Sequence, residues 1–145
     1  DAVVGIAQQP NLQAVFGDEL VLAGYHLGAP RLPTGEPWDL TLHWEVEQTP
    51  QANYDVTVRL VGPDGQVAWQ TEWRPFDDYF PTAWWPAGRP VFDRQTLDLP
   101  NSLVPGETYC LEVHLANLED GTPVPLTQGG QGDWLEVVCL PAAQD

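Results

Sequence analysis

Carboxylates are the most abundant chemically capable groups in this chain, and two pairs are adjacent, Asp77 with Asp78 in "FDDYF" and Glu119 with Asp120 in "LEDG". Glycoside hydrolysis runs on two carboxylates facing one cleft, roughly 5 to 9 Å apart. Neighbours in sequence need not face a cleft, however, and with 21 acids in 145 residues a solvated surface accounts for both pairs. A small glycosidase is therefore the third-ranked reading. Oxygen-rich loops also suit calcium, but the spaced Asp/Asn pattern and closing Glu of an EF-hand are missing. The expectation is no cofactor, with calcium as the one candidate.

Other chemistry has less to work with. The three His, at 26, 43 and 114, are scattered with no CxxC or HxxxH, so no zinc site is expected. The one Ser, Ser102, sits in the turn "LPNSLVPGE", and GxSxG is missing, which excludes a serine triad. The Gly-rich "QGGQGD" does not run from a strand into a helix, so it reads as a hairpin tip and not as a phosphate loop.

Aromatic residues give a stronger signal. The stretch "FDDYFPTAWWPAGRPVFD", residues 76 to 93, sets six aromatic rings among three prolines, which forbid a regular central strand. Exposed Trp and Tyr rings bind the apolar faces of sugars, while flanking charged groups hydrogen-bond the hydroxyls. Asp77, Asp78, Tyr79, Phe80, Trp84 and Arg89 are the candidate ligand-binding residues. The competing reading is that the rings fold back to cap an open end of the core.

The elements that must position this segment are strands. Fifteen Pro and 13 Gly punctuate short runs rich in Val, Leu, Thr and Trp. "PWDLTLHWEVEQ" alternates, with Trp38, Leu40, Leu42, Trp44 and Val46 on one face. "ELVLAGYHL" is a largely apolar strand, and "AVFGD" before it is a short edge strand or a turn. "YDVTVRLVGPDGQVAWQTEW" is a hairpin turning at "GPDG", with Val67, Trp69, Thr71 and Trp73 inward on its return. "PVFDRQTLDLP", "TYCLEVHLANLEDG" and "DWLEVVCLP" complete seven or eight strands. The fold class is all-β, an immunoglobulin-like sandwich of two antiparallel sheets, with residues 1 to 145 as one domain and about 12 to 141 as its ordered core.

Tyr109, just after "PGE", occupies the position of a tyrosine corner. Cys110 and Cys139 fall in the last two strands. A register pairing 110 with 139, and so 116 with 133, permits a cross-strand disulfide closing about 30 residues and contributing ~3 to 4 kcal/mol. The alternative is two buried thiols. A bridge would imply an oxidising, extracytoplasmic compartment.

Charge narrows the partners. Five Arg and no Lys against 21 acids give a formal charge of −16, which repels nucleic acid and anionic membranes. No run is long and apolar enough to span a bilayer, and "DAVVGIAQQP" lacks the features of a signal peptide. The chain has no Met, so we expect a processed product or a fragment of a longer protein.

Together, "FGDELVLAGYHL", "LPTGEPWDLTLHWEV", "YDVTVRLVGPDGQVAWQ", "YFPTAWWPAGRPVFDRQTLDLP" and "PGETYCLEVHL" resemble the extracytoplasmic C-terminal β-sandwich of bacterial membrane glycosyltransferases of the protein-mannosyltransferase type. The likeness covers roughly residues 12 to 118. It departs at Phe80, where Tyr is usual, at Ala87 and Thr108, and in the two Cys. It implies that Trp85 plugs the core, that Asp93-Arg94 forms a structural ion pair or strand-start contact, and that catalysis resides in a membrane portion missing here. Tyr79, Phe80 and Trp84 are then the rings left to bind something. The expected function is a non-catalytic, extracytoplasmic accessory domain that binds glycan or contacts a neighbouring protein domain. A structural or protein-docking module is the alternative.

Overall fold

A computed structural model of the chain describes residues 12–77 and 79–143. The alternating segment forms β3 (Pro37–Val46), whose inward side chains Trp38, Leu40, Leu42, Trp44 and Val46 are all buried while the residues between them reach solvent. Strict period-two alternation is what a strand needs when one face meets a core and the other meets water. Around it lie β1 (Ala14–Phe16), β2 (Leu20–Leu27), β6 (Pro90–Asp98) and β8 (Leu126–Gln128), in the sheet order β6-β3-β2-β1-β8. The second sheet has the order β5-β4-β7-β9, built from β4 (Tyr54–Val61), β5 (Val67–Trp73), β7 (Thr108–Asn117) and β9 (Leu135–Pro141). Every pairing within the sheets is antiparallel, and the core lies between them, giving the immunoglobulin-like sandwich.

Differences from the sequence reading have local causes. β1 is an interior strand, between β2 and β8, and β8 itself was not foreseen because three residues carry no periodicity. β2 reads as continuously apolar because it is buried on both sides. Val21 and Ala23 are covered without joining the core cluster, and a bulge between Leu22 and Gly24 keeps Leu20, Leu22, Tyr25 and Leu27 on the core side. On β5 the expected inward row is only half-buried at Trp69, Thr71 and Trp73, and Val67 is 48% exposed. This strand is an edge and overhangs the core.

Cys110 and Cys139 pair in register and are joined by a disulfide. The expected continuation of that register to 116 and 133 fails, because a bulge after Leu111 shifts the pairing to Glu112 with Glu136. Ala116 bridges Pro123 instead. The extra residue lets both Leu135 and Val137 stay buried. The Tyr109 hydroxyl accepts the Val104 N–H at 2.8 Å, tying the turn to the strand that follows it. Gly129 has no substitute: it turns the chain at φ +79°, and an added Cβ would lie 2.8 Å from the Ala14 Cα on β1.

The two sheets are clasped at one side by a hydrogen bond. Trp73 on β5 donates its Nε1–H at 2.7 Å to Asp93 on β6, and the buried Asp93 also accepts from Gln95 at 3.0 Å. Asp93 therefore does not pair with Arg94, whose partner is Asp39 at 3.1 Å on the outer face of the sheet. Desolvation raises the Asp93 pKa above the ordinary value of 3.8, against the opposing effect of its two donors.

A native pKa above the unfolded one means that the folded state binds more protons in that window. Stability contributed at Asp93 is thus fully present below about pH 3.8 and is lost as pH rises through the folded pKa. Urea midpoints between pH 3 and 8 should show the wild type losing stability relative to Asp93→Asn as pH rises; a constant difference would refute this. Replacing Cys110 and Cys139 together by Ala should cost ~3 to 4 kcal/mol in the same denaturation assay.

Candidate functional site

The segment between β5 and β6 crosses from one sheet to the other over the end of the sandwich, and its irregular backbone must be satisfied from outside itself. Thr82 does most of this. Its hydroxyl donates to the Ala52 carbonyl and accepts the Tyr54 N–H, both at 2.9 Å. Ala83 N–H donates to Asn53 Oδ1 at 3.1 Å, Thr49 donates to the Trp85 carbonyl at 2.8 Å, and Gly88 N–H reaches the Val46 carbonyl at 2.8 Å. A single turn of 3₁₀ helix, Thr82–Trp84, is thereby stapled to the β3–β4 connection.

Within that frame the rings divide. Trp85 is buried, 1% exposed, and donates its indole N–H to the Phe80 carbonyl at 2.9 Å. Phe76 and Phe80 are half-buried and pack against it, with ring centroids 6.3 and 6.2 Å away. Phe80, grouped by sequence with the unoccupied rings, thus lies in the core cover. Trp84 and Tyr79 stand out in solvent, 64% and 86% exposed. Asp77 and Arg89 are exposed on the same connection, and Asp78 lies outside the described residues. Phe76 and Asp77 both adopt positive φ, 57° and 51°, a costly conformation for non-glycine residues, held by hydrogen bonds from Asp77 N–H to the Arg74 carbonyl and from Tyr79 N–H to the Phe76 carbonyl.

Of the adjacent acids that could have served catalysis, Asp120 has a structural role. Asp120 accepts the Thr122 N–H at 2.9 Å, which holds its pKa below the ordinary range, and the Glu119 N–H is taken by Asn117. A constellation that the sequence did not flag is Glu19 with Tyr54. The buried Glu19 accepts the Tyr54 hydroxyl at 2.6 Å and the Gln51 N–H at 3.2 Å, at the wall of an open pocket of about 250 Å³ lined also by Asn117, Thr122 and Val124. Burial, reinforced by Glu19, pushes the Tyr54 pKa up, so the phenol stays a donor. Among the described residues, the one group with metal-ligand proximity is Cys110, Glu136 and Cys139, and its two sulfurs are bonded to each other.

An antiparallel two-sheet sandwich with a stapled, ring-bearing connection at one end is thus the class of protein that fold and site define. No protein-family model matches the chain, and a search of curated proteins finds no match. Among solved structures it is similar to the C-terminal domain of Wzt, at a TM-score of 0.56 and 12% identity over 91% of this chain and 85% of that one. A beta-glucuronidase from glycoside hydrolase family 2 gives a TM-score of 0.49 and 15% identity, over 81% of this chain but 11% of the enzyme. At such identities the likeness to the Wzt domain speaks for the fold.

Thr82→Val keeps the shape of the side chain but leaves the Tyr54 N–H and Ala52 carbonyl unpaired. It should lower stability by ~1 to 3 kcal/mol in urea denaturation, whereas Trp84→Ala, which removes an exposed ring, should change it by less than about 0.5 kcal/mol.

Proposed function

We propose that this chain is a non-catalytic module that binds an uncharged glycan through Tyr79 and Trp84, with Asp77 and Arg89 as flanking hydrogen-bonding groups. The observation that carries this reading is the division of the loop: Phe76, Phe80 and Trp85 are packed inward, Trp84 is held out on a backbone fixed by five hydrogen bonds to β3, the β3–β4 connection and the first residue of β4, and Tyr79 stands out on a turn closed by its N–H to the Phe76 carbonyl. Rings presented on a preordered backbone lose little entropy on binding. A formal charge of −16 disfavours acidic polysaccharides and favours neutral ones. The reading requires no cofactor.

The motif likeness to the extracytoplasmic sandwich of protein-mannosyltransferase-type enzymes supports a place outside the cytoplasmic membrane, in the service of a larger glycosyltransferase. The Cys110–Cys139 bond is consistent with an oxidising compartment. The same sandwich as a protein-docking module is the second reading. It is favoured by Phe92, 58% exposed on the edge strand β6 and stacked on His43 at 4.5 Å. A glycosidase has no support in the buried acids, since Glu19 and Asp93 are each committed to hydrogen bonds that hold the fold.

Tryptophan fluorescence of the chain, titrated with neutral and acidic polysaccharides, tests the proposal. A saturable change with a neutral glycan, lost in Trp84→Ala and in Tyr79→Ala, is the expected result. Silence across the panel from a folded protein would abandon glycan binding in favour of docking.

A further inference from the structure

A second indole is displayed far from the proline-rich loop in sequence. Trp134 immediately precedes β9, where Leu135 pairs with Val113, so the next residue back on the outward side comes beside His114 on β7. The indole extends from there across β7 to β4. Its ring centroid lies 4.6 Å from that of His114, and the Arg59 guanidinium carbon is 3.7 Å from the indole centroid. Arg59 is itself fixed by Glu112, at 2.7 Å. Thr57, the register partner of His114, points outward like it and is nonetheless buried, as a residue beneath a flat cover would be.

The indole therefore packs against Arg59 and His114 on the outer side of the four-stranded sheet and keeps part of its surface in solvent. Asp133 directly precedes it in the chain, and Glu136, two residues after it, is exposed, pairs in register with Glu112 and has its carboxylate beside the Cys110–Cys139 sulfurs. Mere core cover does not explain this ring, because Trp134 is not among the residues of the core cluster or those packed on it.

We propose that this face carries a second glycan-contacting surface, in which the solvent-exposed part of the Trp134 indole takes the apolar face of an uncharged sugar ring and the neighbouring acids Asp133 and Glu136 accept its hydroxyls. The charges select the ligand class. A guanidinium already stacked on the indole draws electron density from the ring and disfavours a second cation on it. Burial, the largest influence on His114, lowers its pKa, so at neutral pH Arg59 is the cation against the ring. An anion would meet Glu112, Asp133, Glu136 and the net charge of −16. A neutral polyol ring, whose C–H groups carry only small partial charges, meets the least of these penalties. The surface stands apart from the Tyr79–Trp84 reading and does not depend on it.

Indole N–H resonances of the seven tryptophans separate the two sites. With the Trp134 signal assigned from Trp134→Phe, the 15N-labelled chain is titrated with mannohexaose, cellohexaose and dextran, with polygalacturonate and a lysine-rich peptide as charged comparators. The proposal expects a saturable shift of the Trp134 resonance with at least one neutral glycan, persisting in the Tyr79→Ala/Trp84→Ala variant. Affinity measured in that background by isothermal calorimetry should fall about tenfold or more in Trp134→Leu and be largely retained in Trp134→Phe. No shift with any neutral glycan overturns it, as does a shift abolished in the Tyr79→Ala/Trp84→Ala variant. A response to the lysine-rich peptide alone overturns it in favour of a cationic protein partner.

Discussion

A buried indole N–H is costly to leave unpaired, as it is at Trp44, and the way Trp85 finds a partner organises this end of the sandwich. Its acceptor is the carbonyl of Phe80, five residues earlier, so the chain between them has to fold back on itself as a tight arch. That arch has few backbone partners of its own. The Thr82 hydroxyl within the arch and residues 49–54, from the β3–β4 connection and the start of β4, supply them, joining one crossing between the sheets to another. With Trp85 directed into the core, the adjacent Trp84 stands in solvent. The exposed ring is thus a by-product of the buried one, and the same hydrogen bonds hold both.

A second set of constraints comes from charge. The chain buries very few carboxylates and gives each several donors: Glu19 accepts from Tyr54 and Gln51, and Asp93 from Trp73 and Gln95. Those acids join parts of the fold that are distant in sequence. The exposed ones surround aromatic surfaces with acceptors and with a repulsive field for anions. An aromatic surface in such surroundings recognises uncharged, hydroxyl-rich matter better than it recognises phosphate or uronate.

Much of the architecture is legible in the sequence because its determinants are local. The alternation through Trp38 to Val46, the apolar β2, the hairpin at "GPDG" and the corner at Tyr109 each express themselves within about ten residues, so strands, turn and fold class follow. Bulges escape this reading. The extra residue in β9 changes neither composition nor apparent period, and it surfaces only when Glu112 is seen opposite Glu136. In the loop, the types of residue were readable but their division was not. Whether Phe80 or Trp84 faces water is decided by hydrogen bonds to residues about 30 positions away. Trp134 left one trace, its position out of phase with Leu135 and Val137 in "DWLEVV", yet its place over Arg59 depends on the pairing of β4, β7 and β9.

The disulfide encloses the connection from Leu118 to Trp134, which carries the short strand β8 and an exposed glycine-rich tip. Exposed tips of that composition are where proteases cut. A single cleavage there would leave β9 covalently attached to β7 through Cys110 and Cys139, and still joined to Leu32 by the bridge at Ala142 and hydrogen bonds at Pro141 and Ala143. The cut molecule would keep its last strand and its outer-face indole while gaining two new chain ends. In an environment rich in proteases, such a chain can be nicked without being dismantled.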